Sequence, residues 1–267
     1  MVHVMAPFRA LWLRFPVLPA VALILAACCV YVYLHGTNKR MDRFLVAVTL
    51  TVPGHILVMA GAVWTAHIHP QKLDLFVYWI DMLSGFEPSF ALGRIVLSHM
   101  SMVVLLAVTY QLLPLAMVAV FGGYLWHRPE QEAMDMVTVL VLNLALSVPF
   151  YLLFPVCGPA YAFPGFPALP AGPVVPHTIL LNAPPNGVPS IHFSTAMLVF
   201  WYGRKLPFGW WIGGGYLALT AVSTLASGEH YLFDLLVTVP YAVMILALGN
   251  FIARRRRAPS GVIMIPT

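Results

Sequence analysis

Long apolar runs alternate with short polar links along almost the whole chain. A helix that crosses a bilayer needs about 20 mainly apolar residues. By that measure the pattern predicts seven membrane-spanning helices, at residues 16–35, 44–66, 94–122, 134–155, 190–205, 209–226 and 230–252. Only Lys205-Leu206-Pro207-Phe208 separates the fifth span from the sixth, so these two short spans are expected to form a tight helical hairpin.

The composition agrees with a protein built for lipid. Hydrophobic residues make up 61% of the 267 residues and charged residues only 9%, whereas about 25% of a soluble domain is charged. The pattern therefore predicts an all-α integral membrane protein with a single membrane domain. The net charge of +5 does not indicate a nucleic-acid-binding protein, because the basic residues form short clusters between the apolar runs.

Positive charge is divided unevenly between the two sets of links. Basic residues accumulate in cytoplasmic links, so the richer set and the tail 253–267 are expected to face the cytoplasm. The links before spans 190–205 and 230–252 then lie on the extracytoplasmic face, periplasmic or lumenal. The richer set comprises Lys39, Arg40, Arg43, Arg128, Arg204, Lys205 and Arg254–Arg257, and the poorer set comprises Arg9, Arg14, Lys72 and Arg94.

Two of the links are long enough to contribute to function. The first, residues 67–93, contains an acidic and aromatic stretch at 73–81 that is too short to span and is predicted to be an interfacial helix. The second, residues 155–189, is rich in proline and glycine. A loop of this length is usually functional in a compact protein, so we expect it to form a lid or wall over a site.

A histidine stands at the first turn of each of two spans that should begin at the same membrane face. His230 and Asp234 are four residues apart and share a helix face. A carboxylate at that position can accept the Nδ1 proton of the imidazole and leave Nε2 free as a nucleophile. A structural hydrogen bond is the alternative interpretation of this pair.

The other histidine, His192, follows Pro189 and Ser190 at a helix N-terminus, where backbone N–H groups favour a phosphate. Ser190 can add a hydroxyl donor, and a protonated His192 can supply a proton to a leaving oxygen. Together with His230 and Asp234, these residues predict phosphoryl transfer through a phosphohistidine.

The remaining histidines suggest weaker hypotheses. His55 and His99 lie within predicted spans and could be axial haem ligands or partners in intramembrane hydrogen bonds. His67 and His69 are expected to be ordinary interfacial residues rather than metal ligands. His177 lies in the Pro-rich loop and could reach the site.

At these motifs the sequence resembles the type 2 phosphatidic acid phosphatase superfamily. The second motif of that family is Pro-Ser-Gly-His, here Pro189-Ser190-Ile191-His192, and its third ends in His-x-x-x-Asp, here His230 and Asp234. Glu229-His230-Tyr231 and the upstream Cys157-Gly158-Pro159 are similar to the branch containing inositol phosphorylceramide synthase and sphingomyelin synthase. The resemblance implies that His230 is the nucleophile, Asp234 its orienting partner and His192 the proton donor.

The family fold is a six-helix membrane core with its site at one face. The resemblance implies that the last six spans, within residues 44–252, form a catalytic core, and that residues 1–43 are an added helix and basic loop. It also implies a substrate that is a phospholipid, isoprenoid phosphate or sphingolipid, with no cofactor and no metal. The residues expected to bind substrate or phosphate are Ser190, Arg94, Tyr231, Gly158 and His177.

The sequence departs from the phosphatase branch at its phosphate-holding cations. The first motif, a Lys followed seven residues later by Arg-Pro, is absent, because Phe121 stands seven residues before Arg128. Thr224 stands where the third motif has its Arg. We therefore expect phosphate charge to be held by helix ends, His192, and Arg94 or Lys72. A non-catalytic lipid-binding, lipid-transport or b-type haem protein is the alternative function.

Overall fold

The computed structural model describes Asp42, residues 61–62 and residues 64–257. The predicted span 16–35 lies outside the described residues, as does most of 44–66, of which residues 61–62 and 64–66 are helical. The described part is mostly helical, which confirms the predicted all-α class. Two-residue strands β1 (Gln71–Lys72) and β2 (Ile179–Leu180) form one antiparallel pair.

Helix α1 (Asp74–Met82) forms where the interfacial helix is predicted. Its buried residues recur at helical spacing and include Asp74, Val77, Tyr78 and Asp81. Trp79 and its apolar neighbours on the opposite face are exposed, as expected for a helix lying at a membrane surface. Both aspartates of α1 therefore point into the protein.

The predicted span 94–122 is not one helix. It is divided between α2 (Pro88–Leu97), α3 (Met100–Gln111) and α4 (Leu113–His127), and α2 and α3 are bent by 119°. At the bend, the Ser98 hydroxyl donates to the Ile95 carbonyl, and Nδ1 of His99 lies 3.0 Å from the same oxygen. These side chains compete with the helical backbone bonds, and Pro114 has no N–H with which to continue α3.

The later predicted spans correspond to single helices, although their ends differ by a few residues. Helix α7 is shorter than the predicted 190–205, and the arginines of the tail extend α9 beyond 252. The bounds are α5 (Glu130–Leu153), the one-turn α6 (Pro159–Ala162), α7 (Ile191–Gly203), α8 (Gly209–Ala226) and α9 (Leu232–Arg257).

By length and composition, two described helices can cross a membrane unaided. These are α5 and α9, and the bent pair α2–α3 would add a third if it acts as one broken span. The membrane character is thus supported, whereas the predicted number of seven spans stays a prediction.

Several clusters of buried side chains hold the described helices together, and two of them lie around the elements that carry the motif residues. The larger lies between α4, α5, α7 and α9, around Tyr124, Met136, Leu198 and Ile245. The smaller joins α1 and α2 to the Pro-rich loop through aromatic rings, with Phe90 lying 5.1 Å from Phe166, centroid to centroid. Aromatic pairs at this separation favour edge-to-face packing, so they attach the loop to one end of the bundle.

Candidate active site

His230 lies in the turn between α8 and α9 and is buried, with 1% of its surface exposed. Its Nδ1 is 3.3 Å from Oδ2 of Asp234, and its Nε2 is 2.9 Å from the Ser190 hydroxyl. When Nδ1 carries the proton and donates it to Asp234, the Nε2 lone pair faces Ser190. The structure therefore brings together three of the predicted site residues in one row.

The first turn of α9 fixes the carboxylate of Asp234. Oδ2 accepts the backbone N–H of Tyr231 at 2.9 Å, and the Thr238 hydroxyl donates to the Asp234 carbonyl. The Thr238 hydroxyl also accepts the N–H of Ser190 at 2.9 Å. Thr238 therefore connects the beginning of α7 to the first two turns of α9 and holds Ser190 opposite His230.

His192 lies in the first turn of α7, two residues after Ser190. Its ring stacks on Tyr110 with centroids 3.8 Å apart, and its Nδ1 is 2.9 Å from the Tyr110 hydroxyl. Because His230 contacts Ser190, both imidazoles belong to the same end of the bundle. Tyr110 was missed by sequence reasoning, since it stands inside an apolar run with no motif around it.

The backbone around His230 is held from α1 and α2 by polar side chains that the sequence did not single out. Ser89 of α2 donates to the His230 carbonyl at 2.8 Å. Asp81 accepts the N–H groups of Leu232 and Phe233 at 2.8 and 2.9 Å. The sequence signal was that the predicted interfacial helix is acidic, and the structure then shows that its aspartates are buried.

Asp74 holds a second stretch of backbone. Its carboxylate accepts the N–H groups of Cys157 and Gly158, at 3.1 and 2.8 Å, and the Tyr231 hydroxyl at 3.3 Å. Burial raises the pKa of Asp74 to about 7, against the opposing effect of its hydrogen bonds. Burial likewise raises the pKa of Asp81 to about 6.

Four predicted binding residues have other contacts. The N–H of Gly158 and the hydroxyl of Tyr231 both donate to Asp74, so these donors are used within the protein. Arg94 is exposed on α2 and donates to the Pro167 carbonyl at 3.4 Å. His177 is exposed, and its Nδ1 lies 2.8 Å from the Val175 carbonyl. Tyr231 nevertheless follows His230 directly, and Gly158 lies against the Glu229 carbonyl beside it. The contacts described for Arg94 and His177 lie elsewhere.

The cations and helix ends expected to hold phosphate charge are differently arranged. Lys72 is buried, its ammonium donates to the His69 carbonyl, and burial lowers its pKa. Thr224, which replaces the family's Arg, is buried, and its carbonyl accepts the N–H of His230 at 3.2 Å. Asp81 occupies the start of α9, so the first turn of α7 is the helix end left for a phosphate.

The metal and haem hypotheses depend on how histidines and acidic residues are grouped. Within the described ranges, no group of three or more His, Cys, Asp or Glu residues could hold a metal ion. His99 lies at the bend between α2 and α3 with its Nδ1 near Ser98, and His55 lies outside the described residues. The haem hypothesis gains no support from the placement of His99.

A protein-family model described as the PAP2 superfamily matches residues 75–248. This range covers more than half of the chain and contains His192, His230 and Asp234. The chain belongs to the PAP2 superfamily. The match confirms the resemblance to the type 2 phosphatidic acid phosphatases. No curated protein and no solved structure matches the chain significantly.

Members of the PAP2 superfamily are generally phosphatases and phosphotransferases, so membership supports an integral membrane enzyme. It also suggests phosphoryl transfer on lipid phosphates as the reaction class. The family match leaves the substrate and the acceptor undetermined, as it does the sidedness of the site.

Proposed function

We propose that this PAP2-superfamily member transfers the phosphoryl-containing group of a lipid phosphate ester through His230. The observation that carries the proposal is the orientation of the imidazole, with Nδ1 on the Asp234 carboxylate and Nε2 towards Ser190. A carboxylate on Nδ1 favours the tautomer with a free Nε2 lone pair and stabilises the ring as it becomes positive.

The reaction has two balanced halves. In the first, Nε2 of His230 attacks phosphorus, the phosphorus–oxygen bond of the leaving group breaks, and protonated His192 gives its proton to that oxygen. In the second, neutral His192 takes a proton from the acceptor hydroxyl. The acceptor oxygen then attacks phosphorus, and the electron pair of the phosphorus–nitrogen bond returns to Nε2.

Ser190 and Tyr110 have supporting roles in this mechanism. The entering phosphoryl group displaces the Ser190 hydroxyl from Nε2, after which that hydroxyl donates to a phosphoryl oxygen. Tyr110 stacks on His192 and contacts its Nδ1, which fixes the ring and leaves the other nitrogen for the leaving oxygen. Such positioning is a large part of phosphoryl-transfer catalysis.

The acceptor distinguishes a lipid phosphatase from a phosphotransferase. We propose a lipid hydroxyl acceptor, as in the sphingolipid-synthase-like branch, because the Glu229-His230-Tyr231 motif and the absent cations favour that branch. Glu229 lies beside the nucleophile and accepts the Tyr161 hydroxyl at 3.4 Å. This carboxylate repels an anion, so its suitable ligand is a hydroxyl of the headgroup or of the acceptor.

The row Ser190–His230–Asp234 also supports a second candidate, in which Ser190 is the nucleophile and His230 its general base. The 2.9 Å contact between the hydroxyl and Nε2 favours it. Against it, the Ser190 hydroxyl also accepts the N–H of Phe193 as the N-cap of α7. If the Ser190 oxygen attacked phosphorus, the N–H of Phe193 would lose its acceptor.

The test is turnover of labelled phospholipids and isoprenoid phosphates by the purified protein, with and without ceramide or diacylglycerol. His230→Ala should abolish turnover, and Asp234→Asn should slow it by roughly 10²- to 10⁴-fold while the protein stays folded. A new phospholipid indicates a transferase, whereas a released phosphate or headgroup phosphate indicates a hydrolase.

Trapping the intermediate separates the two nucleophiles. Phosphohistidine is acid-labile and phosphoserine is acid-stable, so quenched enzyme should lose its label in acid. The control is His127→Ala, at the C-terminal end of α4, which should retain full activity. Full activity of His230→Ala, or an acid-stable label on Ser190, would overturn the phosphohistidine mechanism. Lipid binding without turnover in the wild-type protein would favour the non-catalytic alternative.

A further inference from the structure

The first turn of α9 contains the Asp234 carboxylate, and its N-terminus is stabilised by a distant part of the chain. The first N–H groups of a helix have no partner within the helix. In α9, those of Leu232 and Phe233 are both bound by Asp81, one to each carboxylate oxygen, at 2.8 and 2.9 Å. A carboxylate here also interacts favourably with the helix dipole.

A third N–H group at this turn, that of Tyr231, is bound by Asp234 itself. Asp234 is the third residue of α9, and its Oδ2 accepts the N–H of Tyr231, the residue before the helix. The same Oδ2 faces Nδ1 of His230. The direction of the Asp234 carboxylate therefore depends on the backbone of residues 231–233, which Asp81 fixes.

Helix α1 is a suitable brace because it is attached to this segment at more than one point. Asp74, two turns before Asp81, accepts the Tyr231 hydroxyl and the N–H groups of Cys157 and Gly158. The neighbouring α2 holds the His230 carbonyl through Ser89. The segment around His230 is thus tied to two helices that lie more than a hundred residues earlier in the chain.

Burying a carboxylate costs desolvation free energy, so stability alone does not explain why Asp81 is charged. Asp81 is only 5% exposed, and burial raises its pKa. Apolar side chains of similar volume often replace buried charged groups without loss of stability. A bidentate acceptor, in contrast, sets the direction of two adjacent N–H groups, which packing alone cannot do.

We propose that Asp81 is a positioning residue for the His230–Asp234 pair, acting through the first turn of α9. The proposal rests on the proposed function only for its kinetic consequences. Asp81 contacts no reacting atom, so its loss should misdirect the Asp234 carboxylate and slow the attack on phosphorus. Substrate binding, which involves the first turn of α7, should change little.

The test compares Asp81→Ala and Asp81→Asn with Asp135→Ala. Asp135, on α5, binds Arg257 at the C-terminal end of α9. Its removal therefore also deletes a carboxylate that contacts α9, but one far from His230. A misplacement of a reacting group by 1 Å can cost about 100-fold, so kcat should fall by roughly 10- to 100-fold in Asp81→Ala with KM nearly unchanged. Asp81→Asn keeps one acceptor and should be intermediate. Asp135→Ala should match the wild-type protein.

A second readout does not depend on activity. The ¹⁵N chemical shifts of the His230 ring, assigned with His230→Ala, report which ring nitrogen carries the proton. The Nδ1–H form should dominate in the wild-type protein and in Asp135→Ala, and it should be depleted in folded Asp81→Ala. If the wild-type protein turns over no phosphate ester, the proposed function fails, and this spectrum alone decides the role of Asp81.

Several outcomes would overturn the inference. One is an unchanged tautomer with unchanged kcat in Asp81→Ala. Another is a loss of activity that simply follows the fraction of folded protein, or that Asp135→Ala reproduces. Failure of both Asp81 variants to fold would assign Asp81 to stability and would equally reject the positioning role.

Discussion

At the scale of single residues, three buried carboxylates around His230 differ in what they accept. Asp234 faces the imidazole, and Asp81 accepts backbone N–H groups at the start of α9. Asp74 accepts the N–H groups of Cys157 and Gly158 in the Pro-rich loop and reaches the turn only through the Tyr231 hydroxyl. Their mutual repulsion adds to the effect of burial, because Asp234 helps to raise the pKa of both other groups. The proposed phosphate site thus lies close to buried carboxylates, and the protonation of Asp74 and Asp81 is coupled to folding.

Asp74 should make stability depend on pH. Its folded-state pKa of about 7 lies above the ordinary value of 3.8, so its contribution is fully present below pH 3.8 and is lost as pH rises through 7. A difference of about 3 between the two pKa values corresponds to roughly 4 kcal/mol at most. Denaturant unfolding in detergent between pH 5 and 8 should show the wild-type protein losing stability with rising pH.

Asp74→Asn should lose most of this dependence of stability on pH, because the amide does not titrate. Its amide oxygen can still accept the N–H of Gly158. Asp135→Asn, on α5 beside the C-terminal end of α9, should retain the dependence. A slope that is the same in Asp74→Asn and in the wild-type protein would show that Asp74 is not the group responsible.

At the scale of elements, the Pro-rich loop is fastened to the turn that contains His230. The Ala160 N–H donates to the Gly228 carbonyl at 2.9 Å. Gly158 has φ of 110°, and a Cβ there would lie 2.3 Å from the Glu229 carbonyl oxygen. The loop beginning at Pro155 therefore packs against the turn where the predicted wall would stand, and its approach requires glycine.

Gly158→Ala should separate this wall from the turn. Because the conformation is strained and the neighbouring atom is backbone, we expect a loss of roughly 2 to 4 kcal/mol of unfolding free energy. Activity should fall with it. Gly165→Ala in the same loop is the matched control, since a Cβ there meets nothing within 4 Å. Equal thermal unfolding midpoints for the two variants in detergent would contradict this account.

At the scale of the whole molecule, polar groups separate to the two ends of α9. The carboxylates that hold His230 gather at its beginning, whereas Arg256 and Arg257 lie at its end against Thr138 and Asp135. Arg128 and Lys205 meet near the same side of the bundle. The predicted orientation, with the basic end in the cytoplasm, requires such a division, and the orientation itself stays a prediction.

Cysteine labelling tests that orientation. With Cys28 and Cys29 replaced by alanine and the buried Cys157 kept, Gly172→Cys in the loop should react with a membrane-impermeant maleimide in intact cells or vesicles of known sidedness. Arg256→Cys should react only after permeabilisation, because it should lie at the cytoplasmic face. Both positions are exposed in the structure, so access alone decides the result. The opposite labelling pattern would place the site in the cytoplasm.

Much of the fold could be predicted because apolar periodicity reflects local energetics. Helices α5, α7, α8 and α9 lie within a few residues of their predicted spans, and α1 forms where an interfacial helix was expected. The prediction of one continuous helix at 94–122 was wrong, because the region is divided between α2, α3 and α4. The side chains of Ser98 and His99 contact the Ile95 carbonyl at the bend. A hydrophobicity pattern contains no information about such contacts.

The sequence by itself determined the helical membrane class and the pairing of His230 with Asp234 four residues later. The predicted shared helix face was wrong, because His230 lies two residues before α9 and meets Asp234 across the first turn of that helix. Only the tertiary structure decided that Ser190 meets Nε2, that Tyr110 stacks on His192, and that Asp81 holds the first turn of α9. These contacts join residues 40 to 151 positions apart. Helical spacing gives no information at that range, because such contacts depend on how the helices pack.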